Sequence, residues 1–291
     1  CDSLLVLSLT KSQRIHSPRI RCLDLKSICL TDCRSLTAPS LHCPNLEILD
    51  LRCCVSLAAE AIGELFEGCG ALRSLQLSGC RRICEIRLAS GSLEDLYLCW
   101  CSQLQRLDLV CPRLRRLYAY GCARLNQPAL TCASLSVLEL QKCRALGDDA
   151  IPLITSGSAS LEILNLTDCQ LLNSPTLSAD RLTALHLYNC LHLTCLQVAA
   201  PLLETINLTY CSALASFSFD TPRLATILCA GCKLLTDLAV TSALKSCPAI
   251  RTFELSGCMR LSKEALVSVE WECRRAQAAW DSKHGSKRES D

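Results

Sequence analysis

The sequence predicts an α/β solenoid, in which short repeats stack and each repeat adds one strand to a parallel sheet. Three observations support this prediction. One apolar pattern recurs along the chain, its steps have only two lengths, 21 and 26 residues, and the residues around its centre alternate in polarity. A fixed internal period of roughly 20 to 50 residues is typical of repeat architectures. The 291 residues are therefore expected to form one elongated domain.

The recurring pattern is Leu-x-x-Leu-x-Leu-x-x-Cys-x-x-Leu. One copy runs from Leu46 to Leu57 and another from Leu161 to Leu172. The twelve repeats begin at Leu4, Leu25, Leu46, Leu72, Leu93, Leu114, Leu135, Leu161, Leu182, Leu203, Leu224 and Ile250. From Leu46 onward one long step is followed by three short ones, which indicates a duplicated block of four repeats.

The centre of each repeat predicts a strand. Around Leu49 the sequence reads Leu-Glu-Ile-Leu-Asp-Leu, and this period of two is typical of a strand with one buried face. No single repeat can bury its own leucines. Neighbouring repeats must therefore stack, with their parallel strands about 4.8 Å apart.

The two repeat lengths predict different return segments. In the long repeats, residues 58–68, 147–157 and 236–246 have apolar residues at helical spacing, so we expect helices on the convex side. In the short repeats the return is too brief for a helix and is expected to be extended. Apolar residues alternate there in the pairs Ile86/Leu88, Leu107/Leu109, Leu196/Val198 and Phe217/Phe219. This mixture predicts a shallow horseshoe with a concave parallel sheet.

The domain prediction assigns residues 1–261 to a solenoid of about twelve repeats. Residues 262–280 are expected to form a C-terminal capping helix, with Ser262 as its N-cap. Residues 281–291 are polar and are expected to be disordered. The first residue, Cys1, already occupies a position within a repeat, which we interpret as the start of a fragment.

Composition argues against several partners. The formal net charge is only +2, so the totals give no electrostatic signature of nucleic-acid or anionic-membrane binding. No apolar run reaches the roughly 18 residues that a membrane span requires. We therefore expect a soluble protein of the cytoplasm, the nucleus or both, without nucleic-acid or membrane partners.

The 25 cysteines fall mainly in two columns of the repeat. Eleven occupy the cysteine position of the repeated pattern, which is called the pattern position: Cys33, Cys54, Cys80, Cys101, Cys122, Cys143, Cys169, Cys190, Cys211, Cys232 and Cys258. Seven lie three residues before a repeat: Cys1, Cys22, Cys43, Cys69, Cys111, Cys132 and Cys247. Such columns predict small buried core residues with a weak S–H donor, and free thiols in a reducing compartment.

The sequence motifs give little support for a metal site, a redox pair or an enzyme. Cys229 and Cys232 form a Cys-x-x-Cys that could be half a zinc site or a redox pair, but both also fit the core pattern. The chain has no Gly-x-x-x-x-Gly-Lys, Gly-x-Gly-x-x-Gly or Gly-x-Ser-x-Gly. We therefore expect no catalytic residues, no metal, no cofactor and no enzymatic activity.

Aromatic residues mark a candidate partner site. All five tyrosines fall at outward positions on a strand or just after one, and Trp100 joins them. The predicted partner-binding residues are Tyr97, Trp100, Arg115, Arg116, Tyr118, Tyr120, His186, Tyr188 and Tyr210. Tyrosine, tryptophan and arginine dominate interface hot spots. The alternative is that tyrosine simply suits a solvated strand.

The repeat resembles the cysteine-containing leucine-rich repeats of F-box proteins. Besides the Leu-x-x-Leu-x-Leu-x-x-Cys pattern, Cys-Pro precedes repeats at Cys43, Cys111 and Cys247, and Leu235–Asp237 matches the family's Leu-Thr-Asp. The resemblance covers roughly residues 4–261, and the mixed repeat lengths look most like plant-type members. It implies a right-handed solenoid similar to ribonuclease inhibitor.

The same resemblance implies a function. Its members are substrate receptors, which hold a protein substrate on the concave face and reach a cullin-RING ubiquitin ligase adaptor through an F-box. No F-box is present in these 291 residues. Two other interpretations stay open, a stand-alone leucine-rich-repeat scaffold or inhibitor, and an enzyme regulator without a ubiquitin role.

Overall fold

The fold is built from a three-residue parallel strand that recurs once per repeat. The computed structural model describes residues 3–284. The chain divides into a first unit, Cys1–Asn165, and a second unit, Leu166–Asp291, and the repeats of the predicted solenoid are distributed over both.

The strands centred on the second leucine of each repeat are called the main strands. In the first unit they are β1 (Val6–Ser8), β3 (Ser27–Cys29), β5 (Ile48–Asp50), β6 (Ser74–Gln76), β8 (Asp95–Tyr97), β10 (Arg116–Tyr118), β12 (Val137–Glu139) and β13 (Ile163–Asn165). In the second unit they are β15 (Ala184–His186), β17 (Thr205–Asn207), β19 (Thr226–Leu228) and β20 (Thr252–Glu254).

Main strands within each unit pair in parallel and in register, so equivalent leucines lie side by side. Leu75 pairs with Leu96, and Leu96 pairs with Leu117. These three leucines are fully buried, whereas the residues on either side of them in each strand face outward. The predicted alternation and the parallel solenoid are therefore confirmed.

The return segments also follow the prediction. Helices α1 (Glu60–Gly68), α2 (Ala150–Thr155) and α3 (Asp237–Ser246) lie in the three long repeats. The short repeats return through β2 (Arg19–Arg21), β4 (Ser40–His42), β7 (Glu85–Ala89), β9 (Arg106–Val110), β11 (Gln127–Thr131), β14 (Thr176–Ser178), β16 (Cys195–Ala199) and β18 (Ser216–Asp220). Strands β7, β9 and β11 form one parallel sheet, and β14, β16 and β18 form another.

Each helix packs where a return strand would otherwise lie. Helix α1 buries Ala61, Ile62 and Leu65 and packs between β4 and β7. A Cβ atom on Gly68, its last residue, would lie only 1.9 Å from the carbonyl oxygen of Leu41. Gly157, just after α2, has the same relation to Leu130, at 1.5 Å. Glycine therefore permits the close approach of helix end and return strand.

A cysteine ladder joins each repeat to the one before it. The carbonyl oxygen of Leu98 accepts the backbone N–H of Cys101 at 3.2 Å and the thiol of Cys122, one repeat later, at 3.1 Å. Both lone pairs of that buried oxygen are thus used. The same thiol bond is made by Cys33, Cys54, Cys80, Cys101, Cys143, Cys190, Cys211, Cys232 and Cys258, at 3.1–3.3 Å.

The cysteines of the described residues are free thiols. Burial raises the pKa of Cys54, Cys101 and Cys143 to about 12, so these thiols stay protonated at neutral pH. Cys229 and Cys232 are also fully buried, and Cys232 belongs to the ladder. The core interpretation of the cysteine columns is therefore confirmed for the described residues, and Cys1 lies outside them.

The last helix, α4 (Lys263–His284), begins as predicted. The Ser262 hydroxyl accepts the N–H of Ala265 at 3.1 Å, and the helix packs on α3 and β20. It extends beyond residue 280 and includes residues 281–284, which the sequence had assigned to a disordered tail. The rest of that tail, residues 285–291, lies outside the described residues. Among residues 3–284, the helices lack the combined length and apolarity needed to cross a membrane.

Replacing Gly157 with alanine should destabilise the first unit. The added methyl group would overlap the Leu130 carbonyl, so helix and strand must separate, at a cost of about 1–3 kcal/mol. Gly147→Ala in the same repeat is the matched control, because no heavy atom lies within 4 Å of its Cβ position. Urea denaturation followed by circular dichroism compares the two. Equal midpoints would contradict the close-approach explanation.

Stability should fall in alkaline solution. The thiols of Cys54, Cys101 and Cys143 have a pKa of about 12 when folded, against about 8.5 in an unfolded chain. Between these values the unfolded chain releases protons that the folded chain retains, so the free energy of unfolding decreases as pH rises. Urea midpoints measured across this range test the expectation. The decline should be shallower in Cys101→Ala, and an equally steep decline there would count against thiol ionisation as the cause.

Candidate partner-binding face

Two tyrosines stack on neighbouring main strands. Tyr97 of β8 and Tyr118 of β10 pair in register, and their rings lie 4.9 Å apart with an interplanar angle of 9°. The residues next to them in sequence, Leu96 and Leu117, point into the core. The strict alternation of the strand therefore places both rings on the outward face.

Two more rings lie in the turns that follow these strands. The Trp100 indole N–H donates to the Tyr120 hydroxyl at 3.0 Å, and the rings meet edge to face with centroids 5.3 Å apart. Trp100 remains 49% exposed. The four residues Tyr97, Trp100, Tyr118 and Tyr120 are called the aromatic face. The structure thus brings together the four aromatic residues that the sequence predicted for the first unit.

Trp100 occupies a left-handed backbone position, with φ 62°. The residue before the pattern position has positive φ in every repeat: Lys11, Asp32, Cys53, Gly79, Trp100, Gly121, Lys142, Asp168, Asn189, Tyr210, Gly231 and Gly257. This conformation costs an aromatic residue about 1–3 kcal/mol. The conformation belongs to the repeated turn, and at this repeat it carries an outward indole ring.

Glycine in the next repeat makes room for that ring. A Cβ atom on Gly121 would lie 2.5 Å from the Trp100 indole, so the ring rests directly against the Gly121 backbone. Sequence reasoning missed this arrangement. The signal was present, because glycine, asparagine and aspartate, the residues that best tolerate positive φ, recur in this column.

The second unit contains a similar arrangement, a pair of rings with a glycine in the next repeat. Tyr188 and Tyr210 meet edge to face with centroids 5.5 Å apart, and Tyr210 also has φ 62°. A Cβ on Gly231 would lie 2.6 Å from the Tyr210 ring. His186, the last residue of β15, is half-buried and pairs in register with Asn207. These three predicted residues therefore lie on or just beyond the main strands of the second unit.

The two predicted arginines have different roles. Arg116 makes two hydrogen bonds to Asp95 on the neighbouring strand, at 2.5 and 2.7 Å, which neutralises its charge. Burial raises the pKa of the adjacent Tyr97 phenol, and the Asp95 carboxylate raises it further. Arg115 is exposed and precedes β10. Sequence reasoning missed Asp95, although it stands one repeat before Arg116.

Other outward polar residues stabilise the turns. The side chains of Asp50, Asn207 and Glu254 each accept the backbone N–H two residues later, at 2.9–3.0 Å. Asp50 also pairs with Arg52 at 2.7 Å. These outward polar residues therefore stabilise the fold, whereas the rings of the aromatic face contribute exposed apolar surface.

The arrangement suits contact with another protein. Within residues 3–284, no three His, Cys, Asp or Glu side chains are grouped so that they could hold a metal ion. Exposed Trp and Tyr rings supply large, rigid contact area together with hydroxyl and indole hydrogen-bonding groups. The fold and this face define a protein-interaction region built from leucine-rich repeats.

The comparison with known families agrees. The family model for the leucine-rich repeats of FBD-associated F-box protein At5g56370 matches residues 3–148, half of the chain. The chain belongs to this family of F-box-associated leucine-rich repeats. The matched segment includes the whole aromatic face. No curated protein matches the chain.

Gly121→Ala should displace the Trp100 ring. The test uses a Trp271→Phe/Trp280→Phe background, in which Trp100 is the remaining tryptophan of the chain. The new methyl group would overlap the ring, so the indole must leave its position and its fluorescence spectrum should shift to the red. Gly79→Ala is the control, because Gly79 has a similar φ of 80° but its Cβ position comes no closer than 3.1 Å to Cys53, at the sulfur. An unchanged spectrum in Gly121→Ala would contradict the described packing.

Proposed function

We propose that this chain recognises a protein substrate for an F-box ubiquitin ligase, with the aromatic face as the main contact surface. The proposal rests on two pairs of outward rings on the same two neighbouring repeats, Tyr97 with Tyr118 and Trp100 with Tyr120. Clustered Tyr and Trp side chains are typical of the residues that dominate protein interfaces.

The proposed role is binding and not catalysis. The regular stack places the buried residues in apolar rows, and the ladder cysteines are buried among them. The many free cysteines support a reducing compartment, so we place the protein in the cytoplasm or nucleus. No cofactor is required for the proposed contact.

The ligase step rests on the family. The matching family consists of the repeats of an F-box protein, and an F-box would connect the repeats to the cullin-RING adaptor. The substrate would bind the outward face of the main strands in the first unit. The Tyr188 and Tyr210 pair is proposed as a further contact surface of the second unit.

The double substitution Tyr118→Ala/Tyr120→Ala tests the proposal. Hot-spot residues contribute about 2 kcal/mol or more each, so capture of the substrate from cell extract should fall by more than tenfold. The full-length natural protein serves as bait, and mass spectrometry identifies what it captures. Loss of substrate with retention of the cullin adaptor is the expected result.

Trp271→Ala provides the matched control, because Trp271 is an exposed aromatic residue on α4 and does not belong to the aromatic face. It should capture the same proteins as the unchanged chain. If the tyrosine variant retains every partner, the aromatic face is not the binding surface. If the adaptor is never captured, the ligase role fails and the scaffold interpretation takes its place.

A further inference from the structure

The seven turns that lie within the first unit, after the main strands β1, β3, β5, β6, β8, β10 and β12, are strongly basic. Each turn spans five residues, and the seven turns are residues 10–14, 31–35, 52–56, 78–82, 99–103, 120–124 and 141–145. Together they contain nine cations and one acid. The cations are Lys11, Arg14, Arg34, Arg52, Arg81, Arg82, Arg124, Lys142 and Arg144, and the acid is Asp32. This row is called the turn edge.

Two of these cations are neutralised locally. Asp32 pairs with Arg34 at 2.8 Å, and Asp50, at the end of β5, pairs with Arg52 at 2.7 Å. In the described part of the chain, no ion pair involves Arg81, Arg82, Arg124, Lys142 or Arg144. All five are exposed. Their positive charges are therefore available to a partner.

The turns of the second unit lack this bias. Residues 167–171, 188–192, 209–213, 230–234 and 256–260 contain the cations Lys233 and Arg260 and the acid Asp168. The chain's net charge of +2 hides the contrast, because acidic residues lie elsewhere, such as Glu60, Glu64 and Glu67 of α1. The positive charge is a local feature of the first unit.

The aromatic face lies among these charges. Trp100 and Tyr120 belong to the turns 99–103 and 120–124. The turn before them carries Arg81 and Arg82, and the turn after them carries Lys142 and Arg144. At about 4.8 Å per repeat, the four turns span roughly 14 Å, the length of four or five extended residues. One short segment of a partner could therefore contact both the rings and the cations.

We propose that the turn edge selects an acidic peptide segment, whose Asp or Glu side chains meet the cations while an apolar side chain packs on the aromatic face. The inference rests on the proposed function and specifies the partner's chemistry. A single-stranded nucleic acid fits less well. Base stacking needs open ring faces, whereas Tyr97 and Tyr118 cover each other and Trp100 lies on Gly121.

Fluorescence anisotropy of the full 291-residue chain tests this inference. The probe is a fluorescein-labelled peptide rich in Asp and Glu with two central leucines, compared with the same peptide carrying Asn and Gln. The acidic peptide should bind more tightly, and its binding should weaken as NaCl is added. In Arg81→Gln/Arg82→Gln/Arg144→Gln its affinity should fall by about tenfold, because each exposed charge contributes a factor of about two.

Arg19→Gln/Arg21→Gln/Arg113→Gln is the matched control. It removes the same charge from exposed positions in and near the return strands β2 and β9, and its affinity should change by less than about twofold. Equal binding of the acidic and neutral peptides, or equal losses in the two variants, would overturn the proposal. Tighter binding of a labelled oligouridine that depends on the same three arginines would overturn it in favour of RNA.

Different results would contradict the proposed function and the acidic-partner inference. A substrate captured from extract that is lost in Tyr118→Ala/Tyr120→Ala but fully kept by the turn-edge variant would leave the proposed function standing and remove the acidic-partner inference. A substrate kept by both variants would remove the proposed function. Loss of the substrate in both variants, with retention in the arginine control, supports both.

Discussion

The structure depends on a buried acceptor that recurs along the stack, the carbonyl oxygen of the residue that follows the main strand. In the repeat of Leu98 this oxygen accepts a backbone N–H from its own turn and a thiol from the next repeat. The backbone bond satisfies the oxygen within its own repeat, and the thiol uses its second lone pair to join the next repeat. Cysteine fills the space, donates the second bond and so fixes the turn in the same conformation in repeat after repeat.

That fixed turn determines where function can reside. The residue before each pattern position adopts positive φ, which favours glycine, asparagine and aspartate, yet lysine, cysteine, tyrosine and tryptophan also occupy it. An aromatic residue followed one repeat later by glycine produces a ring that lies flat and exposed, as Trp100 and Tyr210 show. Exposed aromatic surface is therefore formed in the turns without a change in the buried core.

Much of this architecture could be predicted from the sequence, because burial imposes a strict pattern. The leucine positions, the cysteine columns and the choice between helix and strand in the returns all follow from periodicity. The outward residues obey no such pattern. The pairing of Arg116 with Asp95, the packing of Trp100 on Gly121 and the basic turn edge depend on neighbours one repeat away, so they emerge only when the repeats are stacked.

Hydroxyl-radical footprinting of the chain with a captured substrate locates the binding surface, since it reports the accessibility of individual Trp and Tyr side chains. Bound substrate should protect Trp100 and Tyr120 while leaving Trp271 and Trp280 of α4 as reactive as before. Protection of Trp271 and Trp280 with unchanged oxidation of Trp100 and Tyr120 would contradict this prediction and move the binding surface to the C-terminal helix.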